Sequence, residues 1–202
     1  MMMIMGRVSP VVFVSCAEEL ELSPRPRSFA AAAYAAVRDS GCRVAAPSGS
    51  TGHKDPPAEE RRRQVGACDV YLGLIGREYG SQVVDLPSRS YLELEYAAAQ
   101  KAGLDRIVFV RTLETESIDG RQQAFRERAR QDGLRGWFVD DEELHRLARI
   151  ALEGWRSRPP KRAARKRARQ DPPGIGPVCD ANGLKDWAPE IASGISDAIG
   201  WP

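Results

Sequence analysis

The sequence predicts an α/β fold, a flavodoxin-like, doubly wound parallel sheet of five strands with a short C-terminal extension. Three observations carry that prediction. Short apolar, β-branched runs alternate with stretches of helical pattern, as βαβ units require. The run Val70-Tyr-Leu-Gly-Leu-Ile-Gly76 is apolar and stops at a glycine, which is how a strand covered on both faces reads. At 202 residues the chain is long enough for one good core, with little left for a second.

Each element has its own signal. Residues 11–15 (Val-Val-Phe-Val-Ser) read as a first buried strand. Residues 24–40 carry Phe29, Ala33, Tyr34 and Val37 at helical spacing, and Gly41 stands where a C′ glycine belongs. Residues 42–46 form a weaker second strand. A polar Gly/Pro-rich loop, 47–57, leads to a charged helix over 58–66 with its acids at the N-terminal end, which suits the dipole. Residues 69–76 are the third strand, followed by a loop and a helix over 90–102 that Gly103 ends. The fourth strand is 106–111, and 121–132 a polar helix. A brief fifth strand at 137–139 precedes an amphipathic helix over 140–155 with Leu144, Leu147, Ile150 and Ala151 inward. The fold thus occupies residues 8–156. A basic and Pro/Gly-rich linker follows at 157–177, then a tail at 178–202 with room for one short helix.

Composition narrows the function. The chain is 42% hydrophobic and 29% charged, ordinary for a globular protein. Its net charge is +2, yet residues 156–169 alone hold eight Lys/Arg and no acid, so the remainder sums to −6. That run can bind nucleic acid weakly, but it lacks interleaved aromatics for base stacking and reads equally well as a solvated linker. Cys16, Cys42, Cys68 and Cys179 show no paired spacing, and with His53 and His145 as the only histidines a metal site is not expected. Scattered cysteines of this kind suggest a reduced, cytoplasmic protein. The segment before Cys16 has a faint likeness to a lipoprotein signal, but it is short, contains Pro10 and makes a better first strand. No run approaches the roughly 18 apolar residues of a membrane helix.

Chemistry concentrates at the expected C-terminal strand ends, where open α/β sheets bind ligands. Ser90 with Glu93 is a capping box, which gives Glu93 a structural reason to exist. Glu95 lies one turn after Tyr91 and faces the same side. A carboxylate there can stabilise an oxocarbenium-like sugar or attack an anomeric carbon. Spacing alone favours the plainer reading, a solvated first-turn acid complementing the dipole. After the third strand, Gly76, Arg77, Tyr79 and Gly80 can offer backbone amides and a guanidinium to a phosphate. Alternatively they form a turn needing positive φ with Tyr79 packed beneath. Ser15 and Cys16 end the first strand on the other side of the crevice. Ser15 can contact a ligand. A nucleophilic Cys16 would need a histidine base that neither histidine evidently supplies, so an inert thiol is the plainer reading. His145, among charged residues, reads as solvated.

These blocks resemble a known family. Val12-Phe-Val-Ser15, Cys68-Asp-Val-Tyr-Leu-Gly-Leu-Ile-Gly-Arg-Glu-Tyr-Gly-Ser81, Ser90-Tyr-Leu-Glu-Leu-Glu-Tyr96, Val108-Phe-Val110 and Phe125-Arg-Glu are similar to domain of unknown function 4062. That group is similar in turn to TIR domains and nucleoside 2-deoxyribosyltransferases. The resemblance spans roughly residues 10–155. Tyr91 and Glu95 fit the aromatic-x-x-x-Glu spacing of TIR-type NAD-cleaving domains, and counting back from Gly103, as in the deoxyribosyltransferases, also reaches Glu95. Leu92 stands where a threonine is usual, and Ser15-Cys16-Ala17-Glu18-Glu19-Leu20 replaces the usual Ser-Ser-Thr-Phe-x-Asp-Leu.

The resemblance implies a TIR-like domain acting at an N-glycosidic bond of NAD or a nucleotide in bacterial defence. Glu95 would be catalytic. Ser15, Cys16, Gly76, Arg77, Tyr79, Gly80 and Tyr91 would bind substrate, with NAD or nucleotide as substrate and no separate cofactor. The alternative is a non-catalytic interaction or nucleotide-sensing module that associates with itself or a protein partner through its tail.

Overall fold

β1 (Val11–Ser15) forms where the β-branched run predicts it. The computed structural model describes residues 9–45, 56–112 and 118–158. After β1 comes an element the sequence does not announce, α1 (Glu18–Leu22), with Ala17 at its N-cap position and no side-chain cap. α2 (Phe29–Asp39) starts later than the expected 24–40. Prolines 24 and 26 disfavour α conformation in the residues before them. The Ser28 hydroxyl then accepts the Ala31 N–H at 3.1 Å and sets the true start. Gly41 ends the segment at φ +68, the conformation that favours glycine at C′. β2 (Arg43–Val44) is a two-residue strand.

α3 (Ala58–Gly66) and β3 (Val70–Ile75) follow, and every residue of β3 is buried. Between β3 and the next helix lies an unexpected hairpin, β4 (Gln82–Val83) and β5 (Leu86–Ser90). α4 (Tyr91–Lys101) is capped by the Ser90 hydroxyl, which accepts the Glu93 N–H. β6 (Asp105–Arg111) leads to α5 (Gly120–Gly133), whose first N–H groups donate to the Asp119 carboxylate. β7 (Leu134–Phe138) begins ahead of the expected 137–139. α6 (Asp141–Arg156) is capped by Asp140.

The five long-range strands form one sheet in the order β2-β1-β3-β6-β7, all parallel. Alternate residues of each strand feed opposite faces. Val12, Leu72, Leu74, Ile107 and Phe109 pack with α1, α2 and α6. Phe13, Tyr71, Ile75, Val108 and Val110 pack with α3, α4 and α5. Leu92 is buried in this second core as a packing side chain.

Two expectations need correction. Ile150 is 51% exposed, because the buried stripe of α6 runs through Leu144, Ala148 and Leu152 at steps of four. His145 is not merely solvated: its Nε2 lies 2.8 Å from Asp39 Oδ2 and ties α6 to α2. The expected loop up to residue 55, His53, Cys179, the linker beyond residue 158 and the whole tail lie outside the described residues. Among the described residues no helix is long and apolar enough to cross a membrane.

Candidate active site

Ser15 ends β1, and its register partner across the ladder is Gly73 of β3. The chain winds outward in opposite directions from these two strands, with β2 on one side and β6 and β7 on the other. An open parallel sheet leaves a crevice beyond the C-terminal strand ends at such a reversal.

Glu95 reaches the C-terminal end of β1 from α4. It is 6% exposed and sits at the fifth helical position, past the first turn where a dipole-complementing acid gains most. The reading of Glu95 as a solvated first-turn acid is therefore set aside. Oε2 accepts the Ser15 hydroxyl at 2.5 Å. Oε1 lies 3.2 Å from the Nε of Arg61 on α3. Burial pushes the carboxyl up from 4.5 to about 7; the Arg61 charge and the Ser15 bond pull against this, and Glu21 adds to it. Near neutrality both protonation states are populated, and the ionised form is held by the Ser15 hydroxyl on one oxygen and the Arg61 charge beside the other.

Ser15 also connects to Tyr71. That phenol is fully buried, held well above its ordinary range by burial and by the Glu95 charge, while its hydrogen bond to Ser15 opposes the shift. Gly73 makes the arrangement possible, because a Cβ there would stand 2.8 Å from Tyr71 Cε1. Phe13 stacks on the Tyr71 ring at 6.3 Å and Tyr96 meets its edge at 6.0 Å, which fixes it from two sides. Tyr34 of α2 faces the same charges: burial, then Cys16, Glu21 and Glu95, push its hydroxyl up to about 12.

Tyr91 joins the cluster through Arg61, whose guanidinium lies 5.2 Å from its ring centroid. Its hydroxyl donates to the Pro56 carbonyl at 2.8 Å. Cys16 adjoins Ser15, but burial and the acids Glu21, Glu95 and Glu19 push its thiol far above the ordinary range, which suits an inert neighbour rather than a nucleophile.

The loop after β3 takes a different position. Arg77, Tyr79 and Gly80 line a surface groove of about 450 Å³ with Asp119 and Arg121, and Glu95 is not part of that lining. Gly80 sits at φ +84, so the turn uses glycine's freedom there. Gly76 faces inward: its carbonyl accepts from Gln122 Nε2 and Arg126 Nη1, both at 2.8 Å. The Tyr79 hydroxyl donates to Glu93, and Arg121 lies 4.8 Å from the Tyr79 ring centroid. Glu93 also pairs with Arg128 at 2.5 Å. Its carboxylate thus anchors the groove wall, beyond the capping role that spacing assigns it.

Ser15, Glu95 and Tyr91 therefore come together, whereas Arg77, Tyr79 and Gly80 line the neighbouring groove. Arg61 and Tyr71 complete the cluster without having been singled out in the sequence. Arg61 had a usable signal: it stands between the buried Ala58 and Val65 at i+3 and i+7, on the apolar side of a charged helix. Tyr71 had none beyond belonging to a buried strand.

Among the described residues no group of three or more His, Cys, Asp or Glu is placed to hold a metal ion. A comparison with curated proteins gives no significant match. Among solved structures, the CMP N-glycosidase of Clostridium botulinum aligns at 13% identity over 70% of this chain and 98% of its own, with TM-score 0.40. The flavodiiron core of Flv1 from Synechocystis aligns at 14% over 71% of this chain and 34% of its own, with TM-score 0.39. The TIR domains of the activated Roq1 resistosome align at 14% over 72% and 82%, with TM-score 0.38. The sequence profile of Domain of unknown function (DUF4062) matches residues 27–153, well over half of the chain, and this protein belongs to that family.

Proposed function

We propose that this protein cleaves or transfers at the N-glycosidic bond of NAD or a nucleotide, with Glu95 as the catalytic carboxylate. One observation supports this most: a nearly enclosed glutamate at the C-terminal end of β1, with Ser15 and Arg61 each holding one of its oxygens. As the bond between sugar and base lengthens, its electron pair leaves with the base and positive charge grows on the anomeric carbon and ring oxygen. A fixed carboxylate in a low-dielectric site stabilises that charge without reorganising. The cation is then captured by water, or by Glu95 itself as an ester that water or a second base opens.

Tyr91 would shape the sugar pocket. Ser15 and the Cys16 backbone would adjoin the base, while Gly76, Arg77, Tyr79 and Gly80 would hold the phosphate side. NAD or the nucleotide is substrate in this reading, with no separate cofactor. A cytoplasmic role in bacterial defence, with self-association as the trigger, follows from the family resemblance.

A second reading has its own observation. Both Glu95 oxygens already have partners within the chain, while the open groove lies beside Tyr79. That arrangement suits a nucleotide-sensing or interaction module. Wild type and Glu95→Ala, incubated with NAD and a nucleotide panel with and without a crowding agent, separate the two. Base release by wild type alone supports the enzyme; equal release by both removes Glu95; release from no substrate favours the module.

A further inference from the structure

Arg61 belongs to a different element from Glu95, so the pair depends on how α3 is held. Among the described residues, two contacts anchor the N-terminal end of that helix. The Ala58 N–H, first in α3, donates to Asp85 Oδ1 at 2.8 Å. Asp85 occupies the turn between β4 and β5. The Pro56 carbonyl, two residues before the helix, accepts the Tyr91 hydroxyl at 2.8 Å. Beneath these contacts Ala58, Val83, Tyr91 and Leu94 form a small core of their own. It joins the hairpin, α3 and α4 independently of the two main cores.

Asp85 serves α3 as a borrowed cap. The residue at the N-cap position is Pro57, which supplies no side-chain acceptor. The first N–H groups of a helix need such an acceptor, and a carboxylate also complements the positive helix end. Arg61 is the fourth residue of α3, so fraying of the first turn reaches it directly. Its attraction to Glu95 weakens as the separation grows.

We propose that Asp85 is a positioning residue: acting through the N-terminus of α3, it holds Arg61 against Glu95. For its functional meaning this rests on the reading of Glu95 as the catalytic carboxylate; the contact chain itself does not. Glu95 faces Ser15 and Tyr71 from the sheet, Arg61 from α3, Glu21 from α1, Cys16 after β1 and Tyr34 from α2. Arg61 is the one cation among these, so loosening α3 raises the Glu95 midpoint above about 7.

The test is the titration of the Glu95 carboxyl, followed by carbon NMR on the full chain with labelled glutamate. Arg61→Met is expected to raise the midpoint by about 1 pH unit or more. Arg61→Lys restores part of that rise. Asp85→Ala shifts it the same way by a smaller, resolvable amount, and Asp85→Asn, which keeps an acceptor oxygen, stays close to wild type. Should Asp85→Ala fail to fold, Asp85→Leu, similar in size and without an acceptor, is read instead, with a shift in the same direction. A midpoint left in place by the Asp85 variant overturns the proposal, even if its melting temperature drops, because a merely structural cap would do that. So does an unmoved midpoint in Arg61→Met. The readout is proton affinity rather than base release. Catalysis that survives loss of Glu95 would therefore refute the proposed function and leave this result standing, and the reverse also holds.

Discussion

The burial of Glu95 has a measurable cost in stability. Its carboxyl titrates near 7 in the folded chain against 4.5 as the ordinary value, with burial as the leading cause. The folded state then binds the proton more tightly than the unfolded state. Stability from this group is fully present below the unfolded value and declines as pH rises toward the folded one. One pH unit of difference corresponds to about 1.4 kcal/mol. Between pH 5 and pH 8 wild type therefore loses between about 2 and 3 kcal/mol through Glu95 alone. Glu95→Gln keeps the shape and cannot ionise, so it lacks this loss. The assay is urea denaturation of both proteins at pH 5, 6, 7 and 8, taking the difference in unfolding free energy at each pH. Other titrating groups cancel in that difference. The expected result is a difference that moves by about 2 to 3 kcal/mol in favour of Glu95→Gln across the range. A flat difference would show that Glu95 titrates alike in both states and would rule out the shift.

Two further outcomes follow from the same site. Gly73→Ala puts a Cβ 2.8 Å from Tyr71 Cε1 and 3.2 Å from its hydroxyl oxygen, so the ring must move away from Ser15. Overpacking of this kind costs about 1–3 kcal/mol in urea denaturation; an unchanged midpoint would show that the ring is not confined. In alkylation with iodoacetamide at pH 8, followed by mass spectrometry, Cys16 should react more than about tenfold slower in the folded than in the unfolded chain. Equal rates would contradict the burial that holds its thiol protonated.

The main elements were legible because they follow single strong signals. β3 is an unbroken apolar run, α3 begins with acids after a proline, and Gly41 and Gly103 take positive φ where helices end. The missed elements lack such signals. α1 spans five residues without a side-chain cap, and β5 contains Pro87 and Ser88 rather than alternating apolar residues. Within the site, Glu95 was legible from its spacing to Tyr91 and Gly103, but its burial was not, since Leu94 and Tyr96 beside it are also buried and no periodicity isolates it. Arg61 was hidden in a Glu-Glu-Arg-Arg-Arg run whose other arginines pair at or near the surface or point outward, as Arg62 does toward Glu59 at 3.5 Å. Asp85 was illegible because its partner, Ala58, lies 27 residues away and is reached only when the hairpin folds back.

In the proposed function Glu95 acts on a glycosidic bond. The measurement closest to that claim is chromatographic detection of free base from NAD and from a nucleotide panel, using wild type and Glu95→Gln prepared alike and matched in circular dichroism. Wild type is expected to release base, and Glu95→Gln to have lost that release. Equal release by the two proteins, or none by wild type from any substrate under crowding, would contradict it.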